Sequence, residues 1–196
     1  AMSLILPTDF ALSLAKVTLL PLTCEHTHDL ALACQDGNLW ELIYTSTPTP
    51  DSVSDYIQTA ITTPDRIAFA VIDDATGKAM GTTSFHDILP APKRLEIGYT
   101  WYAQRYWRTH VNTACKLILM SYAFDTLGYQ TVGLRTDILN TRSQRAIERL
   151  GATKDGIIRG NRLSKDGNIS DTVMYSVIAS EWQTIKENLT SKLEKS

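Results

Sequence analysis

The chain has 196 residues, 43% of them hydrophobic and 20% charged, with a formal charge of -2. That length suits one domain, residues 1–196, able to bury a sizeable core without cross-links. The charge balance excludes a strongly basic nucleic-acid binder, and no run approaches the roughly 20 apolar residues that span a bilayer.

The stretch from Ser3 to Leu22 is moderately apolar, but Asp9 interrupts it and no Lys or Arg comes before. An export signal is therefore not expected. Cys24, Cys34 and Cys115 are odd in number and widely spaced, which favours free thiols in a reducing cytoplasm. Cys24-Glu25-His26-Thr27-His28 contains metal-ligand types. No second cluster at ligand spacing follows, so the segment reads as a helix entry and no metal is expected.

In chain order, Val17 to Leu20 reads as a strand. His28 to Ile43 suits a helix that Gly37-Asn38 breaks. Asp51 or Ser52 caps a second helix bearing Val53, Tyr56, Ile57 and Ala60. The period then changes. Ile67–Ile72, Ala79–Ile88 and Leu95–Tyr102 are three strands separated by turns at Asp73–Gly77 and Pro90–Lys93, which implies an antiparallel meander. In the third strand Ile97, Tyr99 and Trp101 share one face, and Glu96, Gly98 and Thr100 the other. Asn112–Leu127 is a strongly apolar helix closed by Gly128. Thr131–Ile138 is a strand, and Asn140 or Thr141 caps a short helix that Gly151 ends. Ile157–Leu163 and Ile169–Ile178 flank Lys165-Asp166-Gly167-Asn168 as a hairpin. The tail reads as a helical appendage over 183–196, outside a core of about 17–182. The order is that of an α+β fold.

The chemistry concentrates where the third meander strand meets the long helix. Trp101-Tyr102-Ala103-Gln104-Arg105-Tyr106-Trp107-Arg108-Thr109-His110-Val111-Asn112-Thr113 joins a strand end, two arginines and a helix start. Free N–H groups and the helix dipole favour an anion at such a start, and guanidinium forks suit phosphate. The plain alternative is a solvated loop with Asn112 or Thr113 as a cap. Asn140-Thr141-Arg142-Ser143 places an amide and a hydroxyl at a second helix start after a strand.

These segments resemble the GNAT superfamily of acetyl-CoA-dependent N-acetyltransferases, in its Rim-type branch, which includes ribosomal-protein-alanine acetyltransferases. The matching residues are Leu95-Glu96-Ile97-Gly98-Tyr99, Tyr122-Ala123-Phe124, Leu127-Gly128, Asn140-x-x-Ser143, Leu150-Gly151-Ala152, Asp155-Gly156, Asp171 to Ser176 and Glu181-Trp182. The similarity runs from about Val17 to Trp182. One departure stands out. The family's Gln/Arg-x-x-Gly-x-Gly/Ala phosphate loop falls on Trp107, His110 and Asn112, whose side chains could crowd a pyrophosphate that glycines admit closely.

The resemblance implies a mixed, mainly antiparallel sheet flanked by helices and splayed between Leu95–Tyr102 and Thr131–Ile138. It implies acetyl-CoA in that gap, its pantetheine on the backbone near Trp101 and Tyr102. The pyrophosphate would rest on Trp107, Arg108, Thr109, His110, Val111, Asn112 and Thr113, and Asn140 would hold the pantetheine arm. The reaction implied is direct attack of a primary amine, a protein N-terminus or a small amine, on the thioester. Glu96 is then the candidate base, or else a surface carboxylate or a structural partner of Arg94. Ser143 is the candidate donor to the leaving thiolate, or a residue bonded to helix backbone. Tyr99, Asp137 and His86 are lesser candidates, and Cys115 reads as core. The rival reading is a degenerate domain that binds acyl-CoA or a peptide without turnover. No nucleic-acid or membrane partner is expected, and the chain would be a monomer or homodimer.

Overall fold

In the computed structural model, which describes residues 4–196, the apolar runs pair side by side in chain order as far as the middle of the sheet. Ser3, the first residue of the stretch weighed above as an export signal, lies outside the described residues. β1 (Leu12–Leu14) and β2 (Val17–Pro21) form a hairpin. Its two-residue turn, Ala15 and Lys16, has φ of 52° and 66°, the double left-handed conformation that matches strand twist. No glycine or asparagine marks that turn, so β1 carried no sequence signal. The meander follows as expected: β3 (Ile67–Asp73), β4 (Lys78–Leu89) and β5 (Arg94–Tyr102), each antiparallel to the one before. β6 (Thr131–Asp137) then lies parallel to β5, while β7 (Thr153–Leu163) and β8 (Ile169–Ile178) form a hairpin whose second strand pairs with β6. Among the described residues the sheet order is β1-β2-β3-β4-β5-β6-β8-β7.

Helices cover both faces. α1 (Thr27–Gln35) and α2 (Val53–Thr62) bury Leu30, Ala33, Val53, Ile57 and Ala60 on one face, against Ala68, Ala70 and Trp101. α1 ends at Gln35, just before the expected break at Gly37-Asn38, and a short turn, Leu39–Glu41, follows. The entry to α1 is a capping box: the Thr23 hydroxyl accepts from Glu25 N–H, and His26 Nδ1 accepts from Thr23 N–H at 3.1 Å. α2 is entered through a turn led by Thr49, whose N–H donates to the Ser52 hydroxyl at 2.9 Å.

The other face carries α3 (Val111–Ser121), α4 (Thr141–Leu150) and α5 (Ala179–Glu194). Val111, Ala114, Cys115, Leu119 and Met120 of α3 are buried against Leu95, Ile97 and Tyr102. The chain continues past Ser121 in a wider turn, Tyr122–Thr126, and exits at Gly128 with φ of 68°. α5 corrects the expected appendage. Trp182, Ile185 and Leu189 are buried in the α3 core, so the tail belongs to the packed structure.

Two irregularities position the site. β5 bulges at Tyr99, whose φ is 51°; the register passes from Thr82↔Trp101 to Ser84↔Gly98. One extra residue inverts the alternation. Leu95, Ile97 and Tyr102 therefore face α3 while Trp101 faces α2, which overturns the expectation that Ile97 and Trp101 share a face. The second is a divergence. β5 and β6 pair only at Arg94↔Thr131, Leu95↔Val132 and Glu96↔Gly133. Beyond Glu96 the strands have no mutual ladder, and the sheet opens there.

Candidate active site

The opening between β5 and β6 leaves one edge of β5, from Ile97 to Tyr102, without a strand partner. A buried strand edge must find other partners for its N–H and C=O groups, so an extended amide-bearing chain fits it. One carbonyl expected to serve that purpose is taken: Tyr102 C=O accepts from the Trp107 indole N–H at 2.9 Å.

At the open end stands the amino terminus of α3. Arg108 is the loop residue in the left-handed region, with φ of 59°. His110 and Asn112, which stand where the family has glycine, need no such conformation: His110 has φ of -69° and Asn112 lies within the helix. Their side chains do not crowd the turn either. The His110 ring reaches the carbonyl of Ala15 in the β1–β2 turn, 2.9 Å from Nε2. Asn112 Oδ1 accepts from the Tyr102 hydroxyl at 3.0 Å. Thr109 donates to the Tyr106 carbonyl at 2.6 Å and accepts from Val111 N–H at 3.3 Å. Val111 thus contributes a buried side chain and a spent N–H. The amides of Asn112 and Thr113 precede the first helical acceptor bond, Ala114 N–H to His110 C=O, and remain free for an anion. Arg108 and Thr109 are exposed beside them.

α4 begins on the other side of the opening. Asn140 is its N-cap, accepting from Ser143 N–H at 3.1 Å through Oδ1, which leaves its amide NH₂ without a hydrogen bond among the described residues. Ser143 is half-buried, and its hydroxyl makes no hydrogen bond among the described residues. The cap is held from below by Asp137, whose carboxylate accepts from Leu139 N–H, the Ser170 hydroxyl and Arg162 at 2.9, 2.6 and 3.2 Å. That makes Asp137 a positioning group. Across the opening, the Arg142 guanidinium lies 5.1 Å from the Trp107 ring centroid, a cation–π contact between the two helix starts.

The closed end of the opening holds the titratable groups. Glu96 is 3% exposed and receives both Arg135 Nε and Nη2, at 2.8 and 2.6 Å. Its partner is therefore Arg135 of β6, not Arg94. The bidentate guanidinium occupies both carboxylate oxygens. His86 stands beside it, buried, with Nδ1 on the Asp87 carboxylate at 2.5 Å and Nε2 without a partner. Burial holds the imidazole below its ordinary value of 6.5 despite the nearby Asp87 and Glu96 charges, so at neutral pH it is uncharged. Burial works against the Asp87 carboxylate, but the His86 hydrogen bond and the Arg135 and Arg94 charges hold it low. An uncharged ring that gives its Nδ1 proton to a carboxylate leaves Nε2 as the basic nitrogen. His86, Asp87 and Glu96 offer atoms within 4.8 Å of one another, yet Arg135 occupies both Glu96 oxygens, and the set is an ion-pair network. The His86 ring packs on Gly98, where a Cβ would come within 2.5 Å of Nε2. Cys115 is a bystander: burial pushes its thiol up to about 11.

The pattern reading brought Glu96, Asn140, Ser143 and the residues 107–113 to one opening. It missed Arg135 and Asp87. Arg135 had a usable signal, a charge in the middle of the apolar run Thr131–Ile138. No described helix is long and apolar enough to cross a membrane.

The "Acetyltransferase (GNAT) domain" family matches residues 16–153. A Bacillus subtilis (strain 168) protein named "Putative ribosomal N-acetyltransferase YdaF" is 31% identical over 107 residues, 55% of this chain and 57% of that protein. The match thus spans little more than half of that relative. A GCN5-related N-acetyltransferase from Brucella melitensis superposes with a TM-score of 0.84 at 30% identity, covering 95% of this chain and 86% of the other. The acetyltransferase MccE, crystallised with acetyl-CoA and AMP, shares the fold at a TM-score of 0.71 and 18% identity over 83% of this chain and 92% of its own. With residues 16–153 matched by the family and most of its length superposed on a solved relative, the chain belongs to the GNAT acetyltransferase family.

Proposed function

We propose that this chain transfers the acetyl group of acetyl-CoA to a primary amine by direct attack on the thioester. The observation that carries the reading is the divergence of β5 from β6 directly above Glu96, with the free amides of α3 at its far end. The residues present fit the coenzyme: an unpaired strand edge for the pantetheine amides, and Asn112 and Thr113 N–H with Arg108 and Thr109 for the pyrophosphate. The Asn140 amide serves the pantetheine arm. The His110 ring and the Asn112 amide are turned away from this turn, which supports coenzyme binding there.

In this proposal the amine enters at the closed end. Nitrogen attacks the carbonyl carbon, the C–S bond breaks, and the sulfur leaves beside the Ser143 hydroxyl. The amine proton passes to His86 Nε2, beside the Arg135-paired Glu96. Positioning carries much of the rate, and acid–base help adds about 10²–10⁴-fold. An α-amine, with a pKa of about 7.7–8.0 against about 10.4 for lysine, needs the weaker base. A protein N-terminus is thus the acceptor favoured by a site whose carboxylate is ion-paired. The name of the Bacillus subtilis relative points the same way. Three unpaired cysteines support work in a reducing cytoplasm.

The deciding assay is thiol release from acetyl-CoA across small amines and N-terminal peptides, alongside thermal shift with CoA. Turnover with CoA stabilisation is expected. Stabilisation without turnover of any amine would return the chain to the binding-only reading.

A further inference from the structure

On the α2 side of the opening, three aromatic rings and one arginine form a continuous stack. Arg66, immediately before β3, lies 3.7 Å from the Tyr99 ring centroid and 5.9 Å from that of Tyr56. Tyr56 meets Trp101 edge-on at 6.4 Å. Most of the hydrogen-bonding capacity here is spoken for: Arg66 Nε donates to the Ser84 hydroxyl at 3.1 Å, and the Tyr56 hydroxyl pairs with Thr82 at 3.2 Å. Two N–H groups are not. Arg66 Nη2 and Trp101 Nε1 are both buried and without a partner among the described residues, and Trp101 as a whole is 6% exposed. Both groups can only donate. A buried donor without an acceptor is unstable against any ligand that supplies one.

The missing acceptor is an anion. Arg66 is a permanent cation, and among the described residues it forms no ion pair. Glu96 is committed to Arg135 and Asp87 to His86, and Asp65, next to Arg66 in the chain, makes no ion pair with it. The placement is informative as well. Tyr99 touches His86 edge-on at 5.0 Å on one side and carries Arg66 on the other. Tyr99 is also 40% exposed, so the stack reaches the surface. One tyrosine ring therefore separates the proton-accepting end of the site from the Arg66 guanidinium.

Resting on the acetyl-transfer reading, we infer that the acceptor carries a carboxylate a few bonds from its amine, and that Arg66 and the Trp101 indole receive it. The amine faces His86 and Glu96 while the carboxylate faces the stack. Two sources share this chemistry: a free amino acid with its main-chain carboxylate, and a peptide whose first residue is acidic.

The test uses the full chain with acetyl-CoA and matched acceptors. One pair is a free amino acid and its carboxamide. The other is a peptide beginning with Asp and the same peptide beginning with Asn. The carboxylated member of at least one pair is expected to show kcat/KM higher by about 10- to 100-fold, the range of a hydrogen-bonded charge. Which pair responds names the source. Arg66→Gln should collapse that ratio toward one through KM. Trp101→Phe keeps the ring, removes one donor, and should reduce the ratio by about fivefold. Equal rates within both pairs would overturn the proposal, as would an Arg66→Gln that slows both members in proportion. If no amine is turned over, acetyl transfer itself has failed. Calorimetry of the same pairs still decides the carboxylate, since equal affinity for acid and amide rejects it.

Discussion

Glu96 shows how one residue's role depends on a neighbour 39 positions away. Its place beside the opening follows from the strand pattern, but the structure ties both its oxygens to Arg135 in an ion pair. Arg135→Met leaves a buried carboxylate unpaired. It should destabilise the protein by about 3 kcal/mol, the low end for a buried pair because the arginine is partly solvated; denaturant titration measures it. Glu96→Gln in turn should lower kcat more than it weakens CoA. His86→Gln tests the alternative proton route. Because burial holds the His86 pKa below 6.5, its limb of the kcat/KM profile lies below that pH and should vanish in the variant. A limb that persists would assign the proton to Glu96. Asn140→Ala removes a cap and a candidate coenzyme donor together. A loss of about 1 kcal/mol in stability belongs to the cap, and any drop in CoA affinity measured at full folding belongs to the site.

At the scale of the element, the β5 bulge is the decisive local event. Period-two reading put Ile97 and Trp101 on one face. The extra residue at Tyr99 separates them, so Trp101 reaches the α2 side where its indole meets Tyr56. Nothing in Gly98-Tyr99-Thr100 announces a bulge, since Tyr is a poor left-handed residue and the favourable pairing around it must supply the strain. Gly98→Ala puts a methyl within 2.5 Å of His86 Nε2 and should turn the ring away from the opening. Activity should fall at least as far as in His86→Gln, with CoA affinity retained. Gly151 was legible: it ends α4 with φ of 105°. Gly151→Ala adds left-handed strain and a contact of 3.2 Å with Ile185, costing about 1–3 kcal/mol by thermal or chemical denaturation.

For the molecule as a whole, α5 and the sheet centre set stability. Leu189 is 3% exposed in the α3 core, so Leu189→Ala should cost about 2–5 kcal/mol. A true appendage would tolerate the change, which makes urea unfolding of this variant a direct check. Acid should weaken the fold early. Folded His86 binds its proton below 6.5 whereas the unfolded chain binds it near that value, so stability declines as pH falls through the window beneath 6.5. The decline should be shallower in His86→Gln, read as the midpoint of unfolding at a series of pH values.

What the amino-acid order determined unaided was local. The meander, the long apolar helix, the cap at Asn140 and the stop at Gly151 follow from periodicity and turn chemistry over a few residues, and the segment order was enough to suggest the family. What tertiary structure decided was every relation between distant segments. Arg135 meets Glu96 because two parallel strands diverge just past their last pair. His110 swings to Ala15 because a hairpin packs beside α3. Arg66 lies on Tyr99 because β3, β4 and β5 are adjacent. Side-chain periodicity records which face a residue takes. It holds no term for which partner, charged or aromatic, the rest of the chain brings to that face.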